Sequence, residues 1–386
     1  MLILVTVPWG QRLGGAEAML QMILDGAKRR GHEFELVFFE DGPWPQELVR
    51  GGFRVEVLEV GRLRQMRRTI AAIPRLAAIV RRRKPDLILN WSAKTHIYGA
   101  PAAMLAGLAG RLVWFQQVIP DGHWIDRAAT ALPAAAVGCY SNAAARAQEQ
   151  LPPKRSTFVV AAGTPVPVHA PASPPPLELP AEAIVVGLVG RLQEWKGQDR
   201  LLRAQAILHQ RGHPLHLLIV GGDSYGLSPQ YARSLTELVD SLGLSGAVTM
   251  TGEVPDAGPY IERMDVLVNA SDPEPFGIVL LEGMARSVAV AAVDSGGPAE
   301  FVEDGRTGVL ARSGAPADLA DALEPLVVSP QLRERLGVAG HERYLRDFTD
   351  VAMRRRFFTE LERINRERGA RRRLRPRRTV VPGSGA

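Results

Sequence analysis

Short runs rich in valine, isoleucine and leucine recur along this chain, with stretches of helical spacing between most of them. They fall at residues 2–7, 34–39, 55–58, 87–89 and 112–115, and the rhythm returns at 184–189, 215–220, 248–251, 266–268, 288–291 and 309–310. Runs this short and this uniformly apolar read as strands buried on both faces. Strands of that kind, alternating with helices, build a parallel sheet covered by helices on each side. The two series predict an α/β protein with two doubly wound parallel sheets. Length agrees, since 386 residues, 46% of them hydrophobic, exceed what one core usually organises.

Between the two series lies His169-Ala170-Pro171-Ala172-Ser173-Pro174-Pro175-Pro176, too rich in proline for a helix or a central strand. The expected division is a first domain over 1–168, a stiff linker over 169–182 and a second domain over 183–349. A helix around 350–365 is expected to pack back on the first domain, followed by a basic, disordered tail over 366–386. Two such sheets with their carboxyl ends facing each other form a cleft suited to a two-substrate reaction. With no apolar run of about 18 residues and a strand at the very start, the sequence speaks for a cytoplasmic protein. The lone Cys139 excludes an intrachain disulfide and fits a reducing compartment.

The net charge of +6 is unevenly placed. Residues 363–378 carry nine arginines against one glutamate, and 62–84 carry nine basic residues and no acid, so the remainder is acidic. In the second of these stretches Leu63, Met66, Ile70, Ile73, Ala77 and Val80 recur at helical spacing, flanked by Arg67, Arg68, Arg75, Arg81, Arg82 and Arg83. Pro74 is expected to kink this helix or mark its start. Two readings stand: a helix covering a sheet with merely solvated arginines, or a basic flank that peripherally contacts an anionic membrane together with the 363–378 arginines. Nucleic acid is not the expected partner, because no aromatic residues interleave with the charges.

Several glycines fall where strands end. Gly14-Gly15 precede a helix opened by Ala16 and Glu17, leaving bare amides for an anion. The 184–189 strand runs into Gly190-Arg191-Leu192-Gln193-Glu194-Trp195-Lys196-Gly197, placing two cations just beyond a strand end. Such cations suit a diphosphate leaving group, although a loop Arg or Lys is equally often a surface charge. Gly221-Gly222, Thr251-Gly252 and Gly296-Gly297 fill further corners, where plain turn chemistry is the alternative. Glu274-Pro275-Phe276-Gly277-Ile278-Val279-Leu280-Leu281-Glu282 sets two carboxylates eight positions apart across the start of an apolar helix. Read alone, this run is either a ligand corner or an acidic first turn with one exposed glutamate. His209, His213 and His216 suggest zinc, but Gly212 and Pro214 break the helix between them, so no metal site is expected.

Taken together, Gly190-Arg191-Leu192 to Lys196-Gly197, the Glu274 to Glu282 segment, Met284-Ala285, Gly296-Gly297 to Glu300 and Gly305 to Gly308 resemble the donor half of retaining glycosyltransferases of family 4. Gly14-Gly15-Ala16-Glu17 resembles the glycine loop of their acceptor half. The resemblance covers residues 1 to about 365 and implies a GT-B fold, two Rossmann-like domains facing across a cleft. It implies a hexose moved from a nucleotide-diphosphate sugar to a saccharide or lipid-linked acceptor, in cell-envelope or polysaccharide synthesis. Arg191 and Lys196 would neutralise the diphosphate, Glu282 would take the ribose hydroxyls, and Glu274 would lie by the donor sugar. Phe276, Gly277 and Ile278 would meet sugar or phosphate, Gly15 and Gly14 would approach from the opposite domain, and Gly190, Gly222 and Gly252 would shape the donor corner. An oxocarbenium-like transition state wants this carboxylate and these cations in any case. No Asp-x-Asp occurs, so neither a metal nor another cofactor is expected.

One position departs from the family. Its members commonly carry a histidine after the fifth strand, where this chain reads Trp114-Phe115-Gln116-Gln117-Val118. Gln117 cannot take a proton, which leaves His123 and His96 as substitutes, each more simply read as a hydrogen-bonding residue. Trp9 and Trp44, in loops of the first half, either stack on a sugar or cover a core edge. The alternatives kept open are a nucleotide-sugar-binding protein without transferase activity and a GT-B epimerase or hydrolase.

Overall fold

The computed structural model describes residues 1–12, 14–61, 66–167, 177, 179–180, 182–223 and 228–374, with only the backbone for 66–69 and 371–374. The first sheet contains β1 (Leu2–Val7), β2 (Glu33–Phe38), β3 (Arg54–Val57), β4 (Leu87–Asn90), β5 (Leu112–Gln116), β6 (Ala136–Cys139) and β7 (Thr157–Val159). The second contains β8 (Val185–Val189), β9 (His216–Val220), β10 (Val248–Met250), β11 (Val266–Asn269), β12 (Ala289–Val293) and β13 (Val309–Ala311). Their orders are β3-β2-β1-β4-β5-β6-β7 and β10-β9-β8-β11-β12-β13, and every pairing within them is parallel.

The register shows why the strands read as unbroken apolar runs. Val5 lies opposite Leu36 on one side and Leu89 on the other. Ile3, Val5 and Val7 pack with Met19, Leu20 and Ile23 of the helix Gly15–Ala27, whereas Leu4 packs with Leu76, Ala77 and Val80 on the other face. Both faces are dry, so both parities along the strand must be apolar. Strands β6 and β7 do not figure in the sequence rhythm. Ala-Val-Gly-Cys has little β-branched bulk, and the three residues of β7 are too few to register as a run.

In each sheet the chain order reverses once, between β1 and β4 and between β8 and β11. At such a reversal the connections after the two neighbouring strands leave to opposite faces, which opens a crevice at the carboxyl edge. The helix Asp350–Leu374 returns from the second sheet to the first. Phe357 packs against Trp91 and Phe115, Phe358 against Phe34, and His32 bonds to Glu362 at 3.0 Å. Each such buried aromatic contributes about 1.5–3 kcal/mol.

Three expectations change. The arginine-rich end is helical as far as Leu374 rather than a tail from 366, with Arg363 bonded to Glu360 and Glu367; the i,i+3 and i,i+4 spacing puts them on one face. Residues 375–386 and the proline run at 169–176 lie outside the described residues. The helix Met66–Arg83 passes through Pro74 and buries Ala77 and Val80 of the expected stripe with Ile73 packed beside them, but Ile70 is 62% exposed and Ala72, Leu76 and Ile79 join the buried face; Leu63 and the Met66 side chain lie outside the described residues. Its basic flank is partly engaged: Arg82 pairs with Glu56 at 2.7 Å, Arg83 with Glu35 at 3.0 Å, and Arg81 donates to the Leu105 carbonyl. Among the described residues no helix is long and apolar enough to cross a membrane.

Candidate active site

The loops after β8 and β11, the two strands at the second reversal, hold the charges. The loop after β8 is fixed by Leu192 N–H on the Gly222 carbonyl at 3.0 Å, and Gly221 N–H bonds the Gly252 carbonyl at 3.0 Å. A single turn, Glu194–Lys196, then brings Lys196 Nζ to Glu274 Oε2 at 2.8 Å and 3.9 Å from the Trp195 ring centre. Glu274 is 6% exposed. Asn269 Nδ2, at the end of β11, donates to the same oxygen at 3.2 Å. Burial alone would push the Glu274 carboxyl up, but the Lys196 charge and hydrogen bonds from Lys196, Ser271 and Asn269 outweigh it and hold the carboxyl below its ordinary value. It stays ionised.

Beyond Glu274 the backbone turns into the helix Ile278–Ala285. Gly277 sits at φ 91°, where a side chain would be strained. Gly296, at φ 70°, lies so close that an added Cβ would stand 2.1 Å from the Glu274 carbonyl oxygen, and Gly297 N–H donates to that oxygen at 2.8 Å. Phe276 sends its ring inward onto Phe301, centres 5.0 Å apart, so only its backbone can meet a ligand. The amides of Phe276, Gly277, Ile278 and Val279 donate to no described residue. They open the positive end of the helix.

The first domain presents a matching helix start. An added Cβ at Gly15 would stand 2.6 Å from Ile278 Cδ1, so the glycine permits the helix Gly15–Ala27 to abut the helix Ile278–Ala285 across the domain boundary. The Gly15 and Ala16 amides donate to no described residue. Arg191, partly exposed, makes no ion pair among the described residues. Two helix amino ends and the paired Lys196 ammonium thus meet at one corner, with Arg191 on the loop that leads to it. Glu282, one turn along the second helix, accepts no side-chain hydrogen bond from a described residue. Burial pushes its carboxyl up to about 7, against a lowering by Arg286 and a further push from Asp256.

The remaining candidates fall elsewhere. Gln117 follows β5 and donates its amide to the Trp91 carbonyl. His123 is the residue before the helix Trp124–Ala131, makes no side-chain hydrogen bond to it, and is exposed with its ring against Trp124. His96 is fully buried, stacked on Trp114 at 5.0 Å and bonded to Asn90 at 3.0 Å, and burial drops it to about 3. It is a neutral core histidine. Trp44 is in the core and donates to Gln21 at 2.8 Å; Trp9 stays 37% exposed with Lys94 4.2 Å from its ring centre. His213 pairs with Glu324 and His216 bonds Thr249; among the described residues no group of three His, Cys, Asp or Glu is arranged around a metal. Asn269 and Ser271 were not legible as site residues, and the one signal was an amide ending an otherwise apolar strand.

Two facing doubly wound sheets with an anion corner at the second reversal define a GT-B protein, and solved structures agree. HepE from Anabaena, in complex with UDP and glucose, superposes with a TM-score of 0.78 at 25% identity, covering 94% of this chain and 100% of that one. Sucrose-phosphate synthase from Thermosynechococcus elongatus shares the fold, with a TM-score of 0.76 at 20% identity over 96% and 99% of the chains. The family model for glycosyl transferases group 1 matches residues 171–343, and that for the glycosyl transferase 4-like domain matches 14–157. The chain belongs to the group 1 glycosyltransferases of the family 4 type. It is 27% identical over 340 residues to the lipopolysaccharide core biosynthesis glycosyltransferase LpsE of Rhizobium meliloti, covering 88% of this chain and 93% of that protein. A D-inositol 3-phosphate glycosyltransferase of Thermobifida fusca is 36% identical over 170 residues, which are 42% of this chain and 39% of that one.

Proposed function

We propose that this protein moves a hexose from a nucleotide-diphosphate sugar to a saccharide or lipid-linked acceptor, with retention at the anomeric carbon and without a metal ion, in the synthesis of a cell-envelope polysaccharide. The observation that carries the reading is the Lys196–Glu274 pair, on the loop that also carries Arg191, next to the amides from Phe276 to Val279, which donate to no described residue. When the bond from the anomeric carbon to the phosphate oxygen breaks, the electron pair goes to the diphosphate. Arg191, Lys196 and both helix ends lie where that charge grows, and the Glu274 carboxylate lies where positive charge grows on the sugar. The acceptor hydroxyl attacks from the same face and gives its proton to the departing phosphate oxygen. No protein base is then needed, which suits a chain with Gln117 at that place. Glu282, ionised, takes the ribose hydroxyls.

The named ligands of HepE (UDP, glucose and UDP-glucose) support a nucleotide-sugar donor, and the name of LpsE supports an envelope glycan. Peripheral contact with an anionic membrane remains part of the proposal on a reduced footprint, since Arg82 and Arg83 are already paired. Sedimentation with phosphatidylglycerol vesicles at low and high salt tests it. The donor test is a panel of nucleotide sugars read by thermal stabilisation and slow hydrolysis, comparing the parent with Glu282→Ala. Stabilisation by one donor, lost in the variant and accompanied by nucleotide release, is the expected result. Stabilisation without release, with acceptor lipid or glycan added, would instead make the chain a nucleotide-sugar-binding protein.

A further inference from the structure

Glu300 belongs to the single-turn helix Pro298–Phe301 of the second domain, yet its carboxylate bonds to the first. It accepts hydrogen bonds from Asn142 N–H and Asn142 Nδ2 at 2.8 Å each and from Ala143 N–H at 2.6 Å. Those are the leading donors of the helix Asn142–Gln150, whose next amide, Ala144 N–H, goes to Ser141 Oγ at 3.2 Å. Helix amides are ordinarily capped by the residue just before the helix, as Ser141 does here. Two of these are capped from another domain, by an anion placed where the helix dipole favours one. If the domains part, the amides and the carboxylate must all return to water.

The same turn is fastened to the donor corner. Gly297 N–H bonds the Glu274 carbonyl, Gly296 leaves no room for a side chain against that carbonyl, and Phe301 stacks on Phe276 at 5.0 Å. Glu300 therefore sits on a segment held to the backbone that carries Glu274 and the free amides. Ile119 of the first domain also reaches Gly296, its Cδ1 3.0 Å from where a Cβ would stand. The facing contact, Gly15 on Ile278, is made by the same pair of domains.

We propose that Glu300 is a positioning residue: by capping the helix Asn142–Gln150 from across the boundary, it holds the domains in the register that brings Gly15 to the donor corner. The proposal rests on reading the corner as the donor site. It assigns Glu300 no contact with the reacting atoms.

The test uses the full-length chain with Glu300→Ala, Glu300→Gln, Asn142→Ala and the double variant Glu300→Ala/Asn142→Ala, with UDP and UDP-glucose as probes. Expected are parental unfolding and near-parental UDP binding, because Arg191, Lys196 and Glu282 remain. Turnover should fall by about tenfold or more in Glu300→Ala, as small misplacements of a reacting geometry do. Glu300→Gln, keeping one acceptor and losing the charge, should fall between, and Asn142→Ala should add nothing in the Glu300→Ala background. Small-angle scattering should show Glu300→Ala more expanded than the parent. A parental turnover in Glu300→Ala, a raised KM for the donor with kcat unchanged, or an undiminished effect of Asn142→Ala in the double variant would overturn the proposal. Scattering needs no turnover, so a parent inactive on UDP-glucose would count against the donor reading, while an unchanged scattering profile in Glu300→Ala would count against the latch. Should Glu300→Ala fail to fold, Glu300→Gln and Asn142→Ala carry the same comparison.

Discussion

Lys196 and Glu274 stand 78 residues apart in the chain and 2.8 Å apart in space, joining the loops after the two strands at which the second sheet reverses. Both are largely shielded, at 19% and 8% side-chain exposure, so each depends on the other for its charge to be tolerated. The pair sets a carboxylate and an ammonium side by side in one corner, the arrangement that glycosyl-bond cleavage from a diphosphate requires.

Removing one partner should cost more than removing both. Lys196→Ala leaves the Glu274 carboxylate buried with only Asn269 and Ser271, and we expect a loss of about 3 kcal/mol together with loss of transfer. Lys196→Met/Glu274→Gln should recover much of that stability in denaturant melts while staying inactive. Glu274 lies below its ordinary value, so its favourable contribution is present at neutral pH and lost as pH falls through its folded-state value; the parent should lose that share in acid and Glu274→Gln should not.

Glu282 gives the opposite sign. With its carboxyl raised from 4.5 to about 7, the folded protein holds this proton more tightly than the unfolded chain does, so stability falls as pH rises from 4.5 towards 7. Glu282→Gln should match the parent near pH 5 and exceed it by about 2.5 kcal/mol at pH 8, a shift of one pKa unit being worth about 1.4 kcal/mol. With Glu282 taking the ribose hydroxyls as proposed, UDP binding should be about tenfold weaker at pH 6 than at pH 8 in the parent, and this dependence should vanish in the variant. Calorimetric titration with UDP at the two pH values checks it.

Gly15→Ala separates stability from transfer. In a helix alanine is better than glycine by about 1 kcal/mol, and the atom it meets is the far end of the Ile278 side chain, so melting should be unchanged or raised. Transfer should fall, because the methyl props the domains apart. Gly15→Ala/Ile278→Val, which removes the Cδ1 that clashes, should regain activity. No recovery would mean that the glycine acts through its amide alone.

Gln117→Ala should lower turnover by less than about tenfold and leave the pH–rate profile in place, since losing a true proton-transfer group costs about 10²–10⁴-fold. Its amide is occupied by the Trp91 carbonyl, a positioning contact. Turnover in excess EDTA should equal turnover without it if, as proposed, Arg191 and Lys196 supply the charge a metal would otherwise bring.

Most of the strands, the doubling of the α/β pattern and the glycine corners could be read from sequence because each follows from a local rule. Buried strands must be apolar at both parities, and tight corners need glycine. The Glu274 to Glu282 spacing and the Arg191 to Lys196 loop were visible for the same reason, as both lie within a few turns of chain. On the helix Met66–Arg83 the stripe was right for Ala77 and Val80 but wrong for Ile70 and silent on Leu76 and Ile79, because periodicity gives the direction of a face but not its extent, which is fixed by what packs against it. His96 and Trp44 looked like candidates until packing put both in the core. What only the tertiary structure decided is contact between distant residues: Asn269 holding Glu274, Gly15 abutting Ile278, and Glu300 capping a helix of the other domain. Hydrogen bonds and close contacts act over a few ångströms, and no spacing along the chain encodes which surfaces of two domains will meet.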